Sequence, residues 1–96
     1  MTIEELQQWV DEDWKRSSKP PTLEAQLLFA IEEFGEVAEA IRKKTMKHDY
    51  KVDDNALGSE FADLVITITT LANTFDVDLT KELRGFQQKL ESRRAA

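Results

Sequence analysis

Two long segments of the chain repeat apolar residues at helical spacing, and each also carries acidic residues three positions apart. The segments cover residues 27–42 and 56–75, and the acidic pairs are Glu33 with Glu36 and Glu60 with Asp63. Residues three apart are neighbours on a helix surface, so each pair forms a two-carboxylate patch. Negative charge beside apolar residues is costly unless something positive joins it. The pattern therefore predicts two packed helices that share a divalent cation.

The sequence around these segments predicts two further helices. Thr2 and Glu5 have the form of a capping box at the start of the first helix. Pro20 and Pro21 separate it from the second helix, because proline cannot continue a helix. The predicted helices cover residues 3–16, 23–46, 56–75 and 79–93, with Thr22 and Asp78 as further N-caps and a polar surface loop over 47–55. This order predicts an all-α fold, an antiparallel four-helix bundle-like protomer that fills residues 1–96 as one domain.

The third segment also contains a β-branched run, residues 64–71, that is compatible with a strand. We favour a helix, because apolar residues keep a 3-4 rhythm over about twenty positions, far more than a usual strand. Apolar faces are expected along every helix. On the first helix the face consists of Ile3, Leu6, Val10 and Trp14, and on the second of Leu27, Ala30, Ile31, Phe34, Val37, Ala38 and Ile41. On the third it consists of Leu57, Leu64 and Ile68, and on the fourth Leu79, Leu83, Phe86 and Leu90 are expected to point inward.

Composition excludes several classes of function. The net charge of −6 argues against a surface for nucleic acid or for anionic membranes, because both select clustered Lys and Arg. No apolar run approaches the ~20 residues of a membrane span. The chain has no cysteine, which suits a cytoplasmic protein. Ninety-six residues bury only a modest core, so we expect a homo-oligomer, with a tetramer favoured over a dimer.

Ligands made only of carboxylates restrict the choice of metal. Oxygen donors suit Mg²⁺ or Mn²⁺, and Mg²⁺ readily bridges phosphate oxygens. A di-iron centre would need helical histidines, whereas the one histidine, His48, falls in the predicted loop. The residues thus point to metal-assisted hydrolysis of a phosphate ester or anhydride. The alternative is a solvated acidic face, since 19 of the 96 residues are Asp or Glu.

The acidic motifs also resemble those of a known family. Glu32-Glu33-Phe34-Gly35-Glu36, followed after 23 residues by Glu60-Phe61-Ala62-Asp63, is similar to the EExxE…ExxD signature of MazG-like nucleotide pyrophosphohydrolases, in the all-α NTP pyrophosphohydrolase superfamily. The resemblance covers about residues 27–79. It implies Mg²⁺-dependent cleavage of nucleoside triphosphates between the α and β phosphates, as house-cleaning of unwanted (deoxy)nucleotides. It also implies a helical bundle that dimerises or tetramerises.

The resemblance assigns roles to individual residues. The Mg²⁺ ligands would be Glu33, Glu36, Glu60 and Asp63. Glu32 would orient or deprotonate the attacking water. Trp14 matches a base-stacking position, with core packing as the alternative, and Lys89 would contact phosphate. By its position past Glu36 on the same predicted helix, Lys43 is a further candidate phosphate contact; the alternative is that it only complements the dipole at the helix C-terminus. Thr67 and Thr70 either line the pocket or simply pack.

The chain departs from the family pattern near its end. Family members often carry Lys-x-x-x-Asn in the fourth helix, whereas here Lys89 is followed by Arg93. The substrate contact that the Asn would make is therefore not expected. A second hypothesis is a non-catalytic helical oligomer that binds a nucleotide or a partner. The intact acidic positions favour the enzyme.

Overall fold

The computed structural model describes residues 1–17, 19–46 and 54–95, and within these ranges the fold is all-α, as predicted. Its helices are α1 (Ile3–Arg16), α2 (Leu23–Thr45), α3 (Asp54–Thr74) and α4 (Leu79–Ala95). The loop prediction was wrong for residues 54–55, which already belong to α3. The rest of the predicted loop, residues 47–53 with His48, lies outside the described residues. None of the helices described is long and apolar enough to cross a membrane.

The helix starts are fixed by local side-chain caps. The Thr2 hydroxyl accepts from the Glu5 backbone N–H, and the Glu5 carboxylate accepts from the Thr2 N–H, both at 3.0 Å. The side chains of Thr22 and Asp78 each accept from the backbone N–H three residues further on, at 3.2 Å. These contacts satisfy helix N–H groups that have no partner within the helix. The three predicted N-caps are confirmed.

The β-branched run of α3 is helical, as predicted. Its threonine hydroxyls donate to backbone carbonyls four residues earlier in the same helix. The bonds run from Thr67 to Asp63, Thr69 to Val65 and Thr70 to Ile66, at 2.8–2.9 Å. These bonds satisfy the hydroxyl donors inside the fold, and Thr69 is therefore buried without cost to an unpaired proton.

Helix α3 is the central element of the protomer. It packs along α2 and, less extensively, along α1, while α4 lies on α1. Helices α2 and α3 are antiparallel, because Gln26 near the start of α2 contacts Thr74 at the end of α3, whereas Glu33 lies near Glu60. This arrangement brings the middle of α2 level with the first half of α3.

Helix α2 is rotated about its axis relative to the expected orientation, so that only Ala30 and Val37 of the predicted apolar face turn inward. The residues that turn inward share one stripe at 4-3-4-3 spacing: Gln26, Ala30, Glu33, Val37 and Ala40. Most of the predicted apolar face is exposed instead, including Ile31 at 70% and Phe34 at 64%. The prediction failed because hydrophobicity alone chose the inner face, whereas α2 packs on α3 through the stripe that holds its acids.

The inward prediction for α4 was also wrong in part. Leu83 and Phe86 are exposed, and Leu79 and Leu90 are half-buried. The physical reason is that α4 packs mainly on α1, so only part of the apolar side of α4 is covered within the protomer. On α1 the prediction holds, since Leu6 and Val10 are buried.

A glutamine joins α1 to the turn between α3 and α4. The Gln7 amide nitrogen donates to the Asn73 side-chain oxygen at 2.9 Å and to the Val77 carbonyl at 2.7 Å. The Gln7 amide oxygen accepts from the Leu79 backbone N–H at 3.0 Å. Within this turn Asp76 adopts a φ of 54°, which Asp tolerates better than most residues. Gln7 thus holds three helices at one corner.

Candidate metal centre

Three carboxylates from α2 and α3 meet between the two helices. Glu33, Glu36 and Glu60 each offer one oxygen atom, and these atoms lie within 4.8 Å of one another. All three side chains are half-buried. They meet because the acids of α2 lie on its packed stripe and because the antiparallel arrangement sets Glu60 opposite them. The predicted convergence of acids from two helices is therefore present for these three residues.

Burial and neighbouring carboxylates raise the pKa values of two members of the cluster, Glu33 and Glu60. Burial away from water raises the pKa of Glu33, and the negative charges of Glu36, Asp63 and Glu32 raise it further. The pKa of Glu60 is raised first by its hydrogen bond with the Glu36 carboxyl group, then by burial and by the charges of Glu36, Glu33 and Asp63. The cluster thus holds more negative charge than its surroundings stabilise.

Two oxygen atoms of the cluster lack hydrogen-bond donors. Glu33 Oε2 and Glu60 Oε2 are both shielded from solvent, and no donor in the described part of the chain reaches them. Buried polar atoms normally have a partner, so such atoms require an explanation. A hard divalent cation would supply one, because it binds carboxylate oxygens and neutralises their charge. The residues present therefore fit a divalent metal ion.

The other predicted acids lie at the edge of this cluster. Asp63 and Glu32 are exposed, although both are close enough to raise the pKa of Glu33. Asp63 is not one of the three residues whose oxygens converge. Within the protomer it stands beside the centre rather than in it.

The predicted phosphate contacts are more distant. Lys43 lies further along α2 and forms an ion pair with Glu39 at 3.2 Å. Lys89 is exposed on α4, a helix that packs mainly on α1. Neither lysine lines the cavity that opens beside Glu33. The protomer therefore does not itself bring these two lysines to the wall of that cavity.

A small cavity of about 230 Å³ adjoins the carboxylates. Its walls are Trp14, Pro21, Gln26, Phe29, Glu33, Ile66, Thr67 and Thr70. The open question about Thr67 and Thr70 is answered in favour of lining the pocket. Trp14 is half-buried there, at the end of α1. Because Glu33 lines this cavity and also belongs to the carboxylate cluster, the cavity adjoins the metal centre.

Sequence reasoning did not identify Gln26 as a site residue. Gln26 is only 3% exposed, and its amide lies at the wall of the cavity. A signal was present, because Gln26 stands seven residues before Glu33 and thus on the same helix stripe. A polar residue at that position within an apolar segment marks the side of α2 that faces α3.

Comparison with known proteins identifies the family. The model of the MazG nucleotide pyrophosphohydrolase domain matches residues 21–95. The chain belongs to this family. The matched range contains α2, α3 and α4, and therefore every residue of the carboxylate cluster. Membership of the MazG family supports a nucleotide pyrophosphohydrolase activity and is consistent with a divalent metal ion at the cluster.

A MazG structure resembles the whole protomer. The crystal structure of iMazG from Vibrio DAT 722 superposes with a TM-score of 0.68 at 29% sequence identity. The match covers 95% of this chain and 97% of that one, so it extends beyond the family-model match to include α1. The comparison with curated proteins finds no match.

Proposed function

We propose that this MazG-family chain hydrolyses (deoxy)nucleoside triphosphates between the α and β phosphates in a Mg²⁺-dependent reaction. The products would be the nucleoside monophosphate and pyrophosphate, and the role would be house-cleaning of the cytoplasmic nucleotide pool. The observation that carries the proposal is the carboxylate cluster beside a cavity lined in part by aromatic residues, with two shielded oxygens that no donor among the described residues reaches.

In this proposal Glu33, Glu36 and Glu60 hold Mg²⁺, with Mn²⁺ as a possible substitute. Asp63 completes the ligand set, because it lies near enough to perturb both Glu33 and Glu60. When bound, the cation neutralises charge on the phosphate oxygens and lowers the pKa of a coordinated water. The protein's own contribution is to hold these carboxylates on two rigid helices before the substrate arrives.

Glu32 is the proposed base for the attacking water. It is exposed and therefore open to solvent, and it lies next to Glu33 in sequence. No other residue of the cluster is free for this role, because the remaining four carboxylates bind metal in this scheme. A carboxylate beside a metal centre can orient a water molecule and accept its proton.

The cavity is the proposed site for the nucleoside. Trp14 and Phe29 provide aromatic walls on which a base can stack, and Glu33 marks the end where the phosphates would lie. Lys43 could reach the phosphates after releasing Glu39. Because α4 packs mainly on α1, Lys89 would act on the phosphates of a neighbouring copy.

We also propose that the protein is a homo-oligomer, with a tetramer favoured over a dimer. A compact monomer of 11.1 kDa exposes about 5,700 Å². This chain exposes 7825 Å², and its radius of gyration is 16.5 Å, compared with about 12.5 Å for a compact domain of this length. The surplus area includes large apolar side chains on α2, α3 and α4, among them Ile31, Phe34, Phe61 and Phe86.

An activity assay tests the proposed function. The protein is incubated with a panel of dNTPs and Mg²⁺, and released pyrophosphate and orthophosphate are measured separately. We expect pyrophosphate from the wild type and no turnover from Glu36→Gln or Asp63→Asn. Glu24→Gln is the matched control, an exposed glutamate in the first turn of the same helix as Glu36. Full activity in Glu36→Gln and Asp63→Asn would refute the site, and orthophosphate as the only product would refute the reaction.

A further inference from the structure

A buried glutamine joins the connection between α1 and α2 to the end of α3. Gln26 is only 3% exposed, and its amide nitrogen donates to the Pro21 carbonyl at 3.2 Å. Its amide oxygen accepts from the Thr74 hydroxyl at 2.8 Å. Pro21 lies before the first residue of α2, and Thr74 is the last residue of α3. Gln26 therefore holds three parts of the chain together through one side chain.

The chemistry of the two partners fixes which way the amide of Gln26 points. A backbone carbonyl has no proton to donate, so the amide nitrogen must face Pro21. The amide oxygen then faces Thr74, and the Thr74 hydroxyl supplies the proton for that bond. A substitution that keeps the shape of Gln26 but changes its donor or its acceptor therefore breaks these contacts selectively.

The connection that Gln26 holds ends in a stiff segment. The rings of Pro20 and Pro21 restrict the backbone dihedral φ, and neither residue has a backbone N–H. The next residue, Thr22, caps α2 by accepting from the Ala25 N–H at 3.2 Å. A stiff segment transmits a displacement at one residue to its neighbours, so the bond to Pro21 also bears on the position of the residues before it.

Two residues on the far side of this connection line the cavity beside Glu33. They are Pro21 and Trp14, which lies in the last turn of α1, and we call them the linker wall. Glu33 belongs to α2 and lies seven residues after Gln26, about 10 Å along the helix axis. Because α2 is a rigid helix, the distance from the linker wall to the carboxylate cluster depends on how Gln26 holds the connection.

We propose that Gln26 is a positioning residue that sets the distance between the linker wall and the carboxylate cluster. This inference rests on the proposed function. A nucleotide that reaches from the linker wall to the cluster binds both well only if their separation is fixed in advance. Loss of the Gln26 bonds should therefore weaken nucleotide binding. It should leave the chemical step little changed, because the carboxylates stay on α2 and α3.

Steady-state kinetics of the full-length protein with a dNTP and Mg²⁺ test this role. Gln26→Met removes both hydrogen bonds at a similar side-chain volume, and Thr74→Val removes only the donor to the Gln26 oxygen. Thr74 is not among the residues that line the cavity, so Thr74→Val removes no wall residue. We expect KM to rise about fivefold in Thr74→Val, the equivalent of one hydrogen bond, and further in Gln26→Met, with kcat little changed.

Thr69→Val is the matched control for these variants. Thr69 lies on the same helix as Thr74 and is not a lining residue, and its hydroxyl donates to the Val65 carbonyl within α3, at 2.8 Å. Thr69→Val thus removes a threonine hydroxyl of α3 without touching Gln26. Its KM should equal that of the wild type.

The fluorescence of Trp14 reports the position of the linker wall without any turnover. The chain contains two tryptophans, so Trp9→Phe, introduced into every protein compared, leaves Trp14 as the single emitter. Trp14 is half-buried. We expect Gln26→Met and Thr74→Val to shift its emission to longer wavelength and to increase its quenching by acrylamide, because the ring becomes more exposed. Thr69→Val should change neither quantity.

Gln26→Glu tests whether the hydrogen bonds, rather than the shape of the side chain, hold the linker wall. A protonated glutamic acid can donate to Pro21 and accept from Thr74 as glutamine does, whereas a carboxylate has no proton to donate. Acrylamide quenching in Gln26→Glu should therefore match the wild type at about pH 5 and approach that of Gln26→Met toward about pH 9. The wild type is measured at each pH as the reference, because Glu33, which lines the same cavity, also titrates.

The failure of this inference is distinct from failure of the proposed function. Wild-type KM and wild-type quenching in both Gln26→Met and Thr74→Val would overturn it, as would a loss of kcat at unchanged KM. Quenching in Gln26→Glu that varies with pH no more than in the wild type would also overturn it. If no nucleotide is hydrolysed, the proposed function fails, and the quenching data alone decide whether Gln26 holds the linker wall. If Gln26→Met fails to fold, Thr74→Val and Gln26→Glu carry the test.

Discussion

Replacing Gln7 with alanine should destabilise the protein far more than its half-buried position suggests. The side chain makes three hydrogen bonds, to Asn73, Val77 and Leu79, at 2.7–3.0 Å. A net value of about 1 kcal/mol for each bond gives a loss of about 3 kcal/mol. Since a small domain has a stability of about 5–15 kcal/mol, this is a large fraction of the total.

Urea unfolding at one fixed protomer concentration measures this loss, because the stability of an oligomer depends on concentration. Gln8→Ala is the control. Gln8 is the next residue on α1 and is exposed, and among the described residues its amide donates only to the Glu12 carboxylate, at 3.4 Å. We expect this control to lose at most about 0.5 kcal/mol. If Gln7→Ala lowers the free energy of unfolding no more than Gln8→Ala does, the hydrogen bonds of Gln7 do not hold α1 in place.

The same variant has an expected effect on activity. Helix α1 brings Trp14 to the cavity, whereas the carboxylates lie on α2 and α3. Loosening α1 should therefore raise KM for the nucleotide more than it lowers kcat. A selective loss of kcat would contradict this division of roles.

Three further outcomes are expected. Because the pKa values of Glu33 and Glu60 are raised in the folded state, their stabilising contribution is present below about pH 4 and is lost as the pH rises through the raised values. The free energy of unfolding of the metal-free protein, measured against pH, should show this decline. Mg²⁺ should restore the lost stability at neutral pH, and no effect of Mg²⁺ would argue against a metal centre. Without metal, Glu36→Gln should be at least as stable as the wild type, since it removes a repelling charge, yet calorimetry should show weaker Mg²⁺ binding. Ile31→Lys places a charge on the exposed face of α2 and should split the expected tetramer into smaller species. Light scattering measures the change in mass, and an unchanged mass would exclude that face from the interface.

The local elements of this fold were predictable because their signals are local. The capping box at Thr2 and the caps at Thr22 and Asp78 depend on residues three positions apart, and the structure confirms all three. The helical spacing of apolar residues in α3 predicted its structure correctly despite its β-branched composition. The signal is again local, since the hydroxyls of Thr67, Thr69 and Thr70 find their acceptors within the same helix.

The corner at Gln7 and the position of Gln26 were not predictable in this way. Gln7 bonds to residues 66 or more positions away, and Gln26 bonds to a threonine 48 positions away. A glutamine in a helix is usually solvated, and nothing within one helical turn shows that a distant partner will bury it. Such contacts exist only once α1, α2 and α3 have packed.

The sequence by itself determined the four helices, the N-caps of three of them, and the spacing that places Glu33 with Glu36 and Glu60 near Asp63 on helix surfaces. Only the tertiary structure decided which side of α2 faces inward. Hydrophobicity favours the side with Ile31 and Phe34, yet α2 packs on α3 through Gln26, Glu33 and Val37 and leaves the apolar side exposed. The physical reason is that a helix has two sides to bury, and one chain of this size can cover only one of them.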